Sequence, residues 1–433
     1  MVTALVETFG MAPTTAFLVV LLIVLIGGLA VIWFIRSAPP RTLVLTSGPP
    51  GSTFQRFAAA YENRLASEGV RRKVLPSKGS QENLERLESA GSGVDIGFVQ
   101  GGLAEAGDES DLVSLGSIAY EPLWVFYRSS TPISRLSELA GRRIAVGAVG
   151  SGTHALALTL LKANGITGGP TTLLELDTDE AVAGLLGGKL DAVFLMGDSA
   201  SLRTVRALIR TPSVYLYTFT QADAYARRFG YLNKIELPEG SIDLGANFPA
   251  QDVTLVGPTV ELVARKGLHP ALSDLLIEVA LEIHGRPGLL QKRGEFPAAI
   301  EHEFKISSDA LRRYKSGKGL LQRVVGSFWL ASLLNRILVA FVPILLVLIP
   351  TLRFLPLIYR WRMQLRIYRF YRPLLLLERE ASGTLTREQG QVLLQRLSEI
   401  EEAVNRLKVP TSFADQFYVL RVQIAFVRQR LKG

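Results

Sequence analysis

The sequence predicts an α/β fold: a two-lobed domain with a cleft, flanked by two transmembrane helices and followed by a C-terminal helical hairpin. Three observations predict it. A β-α-β-α-β pattern occurs twice, over about 42–102 and about 143–197. A glycine-rich turn follows the first strand of each copy. Two uncharged apolar stretches, 12–35 and 337–352, bracket this region.

Taken in order, the first stretch exceeds the roughly 20 apolar residues that cross a bilayer core as helix. A cleavable leader would need a basic start and a small-residue cleavage site. Only Glu7 is charged there, and no clean A-x-A follows. Trp33 suits an interface. The strand Thr42–Thr46 then runs through SGPPGST into a helix, FQRFAAAYENRLASEG. The strand 72–75 ends at PSKGSQEN and enters the helix NLERLESAG, and DIGFVQGG supplies a third strand. Such continuous apolar strands joined by helices read as a parallel sheet. Tyr120 to Arg128 is an apolar strand placed to cross between lobes. The second copy runs RRIAVGAV, the helix GSGTHALALTLLKANG, TTLLEL, TDEAVAGLLGGK and DAVFLMG. Segment 288–334 is irregular, then mixes bases with Leu, Phe and Trp as an interfacial helix does. The second apolar stretch is shorter than the first and holds Pro343 and Pro350. Neighbouring groups tolerate such prolines in lipid, and the stretch spans if Arg336 or Arg353 snorkels. An interfacial or re-entrant helix is its alternative.

Orientation follows from basic residues at the span ends. Arg353, Arg360, Arg362, Arg366, Arg369 and Arg372 follow the second stretch, which puts both termini in the cytoplasm and the middle outside. Arg36 and Arg41 argue mildly the other way. The formal charge of +9 over 433 residues rests partly on this belt, which suits an anionic lipid surface and gives no sign of nucleic acid. With no cysteine there is no disulfide, thiolate metal site or thiol nucleophile. The four histidines have no metal-ligand spacing. No metal and no cofactor is expected.

The loops 47–53, 76–83 and 147–153 each join a strand to a helix, and free N–H groups at a helix start suit an anion. Ordinary capping is the plainer reading of any one of them. None carries the lysine of a phosphate-binding loop, and GAVGSG departs from the dinucleotide order. GSG and GST are not nucleophile elbows, and His154 reads as a first-turn helix residue. Asp177, Asp179 and Glu180 fit helix-dipole pairing. No catalytic constellation emerges, so no enzyme is expected.

Four blocks, LTSGPPGSTFQRFAAAYENRL, GSQENLERLESAGSGVDIGFVQGG, LGSIAYEPLWVFYR and LAGRRIAVGAVGSGTHALALTLLKANGI, resemble the TAXI family of TRAP transporter solute-binding proteins over roughly 42–300. The resemblance implies a periplasmic-binding-protein-like (type II) fold that closes on a small organic anion, a carboxylate or amino acid. It also implies TRAP permease subunits as partners. Carried onto matching positions, ligand contact falls to Gly51, Ser52, Thr53, Phe54, Ser80, Asn83, Gln100, Tyr120 and Pro122, and to Gly150, Ser151, Gly152 and Thr153 in the second lobe. Many members have tyrosine where Phe54 stands, and ordinary members diffuse freely, whereas this chain is similar to the longer, anchored subgroup.

The expected organisation is a cytoplasmic N-terminus (1–13), a transmembrane helix (14–35), a solute-binding domain (41–300), an amphipathic membrane-proximal segment (301–335), a second transmembrane helix (336–358) and a cytoplasmic tail (359–433). Lobe 1 takes about 42–122 with a return over about 214–265, and lobe 2 takes about 129–213 with 266–300. The location is a bacterial inner membrane, with the central domain periplasmic. In the tail, Leu393, Leu397, Ile400, Val404 and Leu407, and Phe413, Phe417, Leu420, Ile424 and Val427, alternate at steps of four and three, which predicts two helices packed as a hairpin. Pro410-Thr411-Ser412 marks the break between them. Such an ordered tail opens a second reading, a sensor or scaffold that passes ligand closure inward.

Overall fold

The computed structural model describes residues 13–104, 111–317, 324–383, 387–407, 409 and 413–432. The chain forms two compact units, Ala38–Asn335 and Met1–Ser37 with Arg336–Gly433. Helix α1 (Pro13–Arg36) belongs to the latter unit and precedes the α/β unit.

The first half of the α/β unit runs β1 (Thr42–Thr46), α2 (Thr53–Ser67), β2 (Arg71–Leu75), α3 (Ser80–Glu88), β3 (Ile96–Gln100) and β4 (Leu112–Tyr120). The second half runs β5 (Trp124–Tyr127), β6 (Arg143–Ala145), α4 (Gly152–Ala163), β7 (Thr172–Leu174), α5 (Thr178–Leu186), β8 (Ala192–Leu195), α6 (Leu202–Ile209), β9 (Tyr215–Leu216), α7 (Ala222–Arg228), β10 (Asn233–Leu237) and β11 (Val253–Gly257). Then come β12 (Thr259–Arg265), α8 (Pro270–His284) and α9 (Ser308–Ser316). The strands form two five-stranded sheets, ordered β2-β1-β3-β12-β4 and β7-β6-β8-β5-β9, and a ribbon of β10 and β11. Within each sheet the β-α-β-α-β strands are parallel, as the sequence predicts. The fourth strand of each order, β12 or β5, runs antiparallel to its neighbours.

Burial explains the pairing. All five residues of β3 are buried, since α2 and α8 cover one face of its sheet and α3 covers the other. The apolar stripe Phe54, Ala58, Tyr61 and Leu65 of α2 lies in that core, at the 4-3-4 spacing of one helix face. The chain crosses between lobes at Glu121–Leu123 and again at Gly257–Thr259. There Glu121 N–H donates to Pro258 O at 2.8 Å, and Leu123 N–H donates to Val256 O at 2.9 Å. A Cβ on Gly257 would collide with the Glu121 carbonyl, so only glycine lets the two crossings lie this close.

This second crossing corrects the expected lobe boundaries. Segment 214–257 stays with lobe 2, where β9 pairs with β5 and the β10–β11 ribbon packs on the same core. Only β12 of the expected return enters lobe 1. Helix α8, expected in lobe 2, buries Leu272, Leu275, Leu276 and Val279 in the lobe 1 core. Helix α9, expected at a membrane surface, also packs on lobe 1, with Ala310 buried and Arg313 paired to Glu278 at 3.3 Å.

Among the described residues, one helical segment is long and apolar enough to cross a membrane, Phe328–Val347. It opens α10 (Phe328–Tyr368), which is continuous through Pro343 and Pro350. The apolar run is therefore longer and earlier than 337–352. In α1 the apolar part is Val20–Arg36. Arg336 donates to Phe34 O at 3.0 Å and lies over the Phe34 ring, so α1 holds this cation. The tail contains α11 (Tyr371–Glu380), α12 (Arg387–Asn405) and α13 (Ala414–Lys432). Leu374 and Leu377 of α11 and Met363 and Ile367 of α10 join Leu397, Val404, Leu420 and Ile424 in one core. The expected hairpin is thus part of a larger bundle. The predicted break at 410–412 and residues 1–12 of the expected N-terminal segment 1–13 lie outside the described residues.

Candidate functional site

The carboxyl ends of both sheets face each other where the two lobes meet, and the predicted loops gather there. Ser52 caps α2 by accepting from Gln55 N–H, and Ser151 caps α4 by accepting from His154 N–H. With these caps in place, the first turns of both helices point at the opposite lobe. Thr53 N–H donates to Gly197 O and Ala200 O, at 3.0 and 3.1 Å. Glu82 N–H donates to Gly150 O at 3.0 Å. Gln100 Nε2 donates to Gly152 O at 3.1 Å, leaving its buried Oε1 without a partner.

At the centre is Asp198, fully buried. Its Oδ2 accepts from Gly152 N–H at 2.5 Å and from Ser80 N–H at 3.3 Å, and its Oδ1 accepts from the Thr153 hydroxyl at 2.9 Å. Ser80 starts α3 of lobe 1 and Gly152 starts α4 of lobe 2. One carboxylate therefore bridges the starts of two helices across the cleft. Glu121, buried in the first crossing, accepts from Asp198 N–H at 2.6 Å. Among the described residues, neither carboxylate has an ion-pair partner. Burial, and then the Asp198 charge, hold the Glu121 carboxyl well above the usual range. Burial raises Asp198 too, opposed by Thr153 and the N–H groups of Gly152 and Ser80.

Beside this seam is a cavity of about 280 Å³. Thr53, Tyr120, Glu121 and Gly197 line its polar side, Phe57 and Trp124 its apolar side, and Arg56 and Arg286 bring positive charge. His284 also lines it, with Nε2 buried and unpartnered, and burial pushes the imidazole down to about 3, so it is neutral. Such a space suits a small solute with an apolar body and an anionic end.

The predicted residues divide by place. Ser80, Gly152 and Thr153 bond to Asp198 and Gln100 bonds to Gly152, while Thr53, Tyr120 and Pro122 line the cavity. Gly150 and Ser151 shape the α4 entry, and Gly51 is exposed on its turn. Phe54 is fully buried in the lobe 1 core against Phe98, as its place in the α2 stripe dictates. Asn83 ties β1 to β3, accepting from Thr46 and donating to Ser47 O and Phe98 O. The sequence reading missed Asp198, Glu121, Arg56 and His284. For Asp198 a signal existed, an acid directly after the DAVFLMG strand.

Residues 47–282 match the NMT1-like family, more than half of the chain. The chain belongs to the NMT1-like family. Solved structures similar to this NMT1-like protein include an ancestral arginine-binding protein bound to arginine, at 15% identity over 56% of this chain and 92% of that chain, with TM-score 0.35. Another is the periplasmic aliphatic sulphonate binding protein SsuA from Escherichia coli, at 16% identity over 69% and 84%, with TM-score 0.35. A third is the BenM effector binding domain with its effector benzoate, at 13% identity over 59% and 100%, with TM-score 0.35.

Proposed function

We propose that this protein is a membrane-tethered extracytoplasmic solute receptor of the TAXI type, which closes its lobes on a small organic anion for TRAP-type transport. One observation carries the reading: Ser80 N–H and Gly152 N–H, from helix starts in opposite lobes, converge with the Thr153 hydroxyl on a carboxylate. A site that satisfies one carboxylate with three donors across a hinge suits another of the same shape. The cavity beside it takes the body of the solute, and Arg56 and Arg286 draw the anion in. Helices α1 and α10 hold the receptor at a bacterial inner membrane, with the α/β unit in the periplasm and both termini in the cytoplasm. It works on a nearby permease rather than by diffusing, and it does no chemistry on the solute.

Calorimetry of the full chain in nanodiscs against monocarboxylates, dicarboxylates, 2-oxo acids and amino acids tests this. Saturable heat with at least one class, weakened about tenfold or more by Thr153→Ala or Arg56→Ala, is the expected result. No heat with any class would sink the reading.

A second reading is favoured by the packed core of the tail. Transport does not call for such a core, whereas a sensor or scaffold that passes closure inward does. Deleting 371–432 separates the two. Unchanged solute binding with lost capture of a defined cytoplasmic partner favours the sensor, and unchanged behaviour in both removes it.

A further inference from the structure

The donors that suit a solute anion are already occupied by a side chain of the protein. We propose that Asp198 is an internal latch: its carboxylate joins Ser80 of lobe 1 to Gly152 and Thr153 of lobe 2, closing the cleft without a solute and competing with the solute anion for the same donors.

Four observations converge on it. Asp198 is completely buried, although it follows a strand end where such acids are ordinarily solvated. Its backbone is fixed by Glu121, which lies in the first crossing between the lobes, so latch and hinge share a bond. Gly79 completes the seat: its φ is +140°, and a Cβ there would collide with Asp198 Oδ2. The unpartnered Oε1 of Gln100, whose Nε2 is bound to Gly152, marks the same seam as one donor short. Since both lobes contribute donors, opening the hinge strips Asp198 of Ser80 while leaving it Gly152 and Thr153. The closed form is favoured by that difference, and a solute anion must offset it.

The competition rests on the proposed solute reading, but the latch itself does not, and the first test uses no solute. The chain has no cysteine, so Glu88→Cys on α3 and Asp179→Cys on α5 take spin labels on exposed sites of the two lobes. In the full chain, dialysed and held in nanodiscs, pulsed dipolar spectroscopy reads the distance between them. Wild-type Asp198 is expected to give one short distance, and D198N and D198A a longer, broader one. A long distance in the wild-type, solute-free protein overturns the latch, as does a short distance in both variants. D198N, unchanged in size, serves if D198A does not fold, and melting curves report which variants are folded. Where a carboxylate binds, D198N is then expected to bind it about tenfold tighter if one molecule in ten is unlatched, and weaker binding overturns the competition. Absence of binding by any acid leaves the distance result standing.

Discussion

Buried carboxylates set the pH response of this chain residue by residue. Glu261 lies in β12, between β3 and β4, with both oxygens buried and without a hydrogen bond of normal geometry. Burial pushes its carboxyl up to about 8, with Glu303 and Glu301 adding to the rise and the Ser114 hydroxyl offsetting only part of it. Folded Glu261 therefore keeps its proton from about pH 4.5 to about 8, while the unfolded chain has lost it. The fold is strongest below the unfolded value and weakens as pH climbs through that window, by about 1.4 kcal/mol per pH unit. Replacing Glu261 by Gln should flatten that decline and raise the melting temperature at pH 8. Denaturant melts of both proteins at pH 5 and pH 8 check it, and equal slopes would refute the account. At this scale the sequence says least. Glu261 and Asp198 look like ordinary acids, because what defines them is burial by segments far away in the chain: Ser80 and Asp198 are 118 positions apart. Phe54, expected at the ligand, lies in the core instead, because its spacing with Ala58, Tyr61 and Leu65 puts it on the core face of α2.

Helices and strands were the most readable level, because their periodicities are local. Both β-α-β-α-β copies came from apolar runs and glycine stops, and the tail stripes came from steps of three and four. What the sequence could not give was which faces meet. Helix α9 has the basic, aromatic composition of an interfacial helix, yet its apolar residues had a nearer partner in the lobe 1 core. The tail stripes pair with a third helix, α11, whose own stripe is short and sits among arginines. Leu397 is fully buried at the centre of that bundle. Leu397→Ala should cost about 2–5 kcal/mol of tail stability. Limited proteolysis of the full chain should then cut between 387 and 432 at lower denaturant, with the α/β unit unaffected. Simultaneous loss of both would show that the units do not unfold separately.

At the level of the whole molecule, two crossings make one cleft out of two sheets, and in the proposed topology two apolar helices decide where that cleft works. The crossings depend on Gly257 and on the pairing of Glu121 with Pro258, a juxtaposition of segments with no shared motif, which is why the lobe boundaries were misread. The apolar helices, in contrast, announce themselves through composition. Leu338, Phe341, Leu345, Leu346 and Ile349 of α10 are all exposed, whereas Phe328 and Ala331 at its start are buried. Exposed apolar surface of that extent supports the proposed membrane span. Arg360, Arg362, Arg366, Arg369 and Arg372 follow, and such a cluster resists translocation. The proposed topology therefore puts α11–α13 inside and the lobes outside. The cysteine-free chain allows a direct check with Asp223→Cys, exposed in lobe 2, and Glu399→Cys, exposed in the tail. In right-side-out spheroplasts an impermeant maleimide should label Cys at 223 and reach Cys at 399 only after lysis. Labelling of both before lysis would mean that α10 does not span, and the reverse pattern would mean that Arg36 and Arg41, not the larger belt, set the orientation.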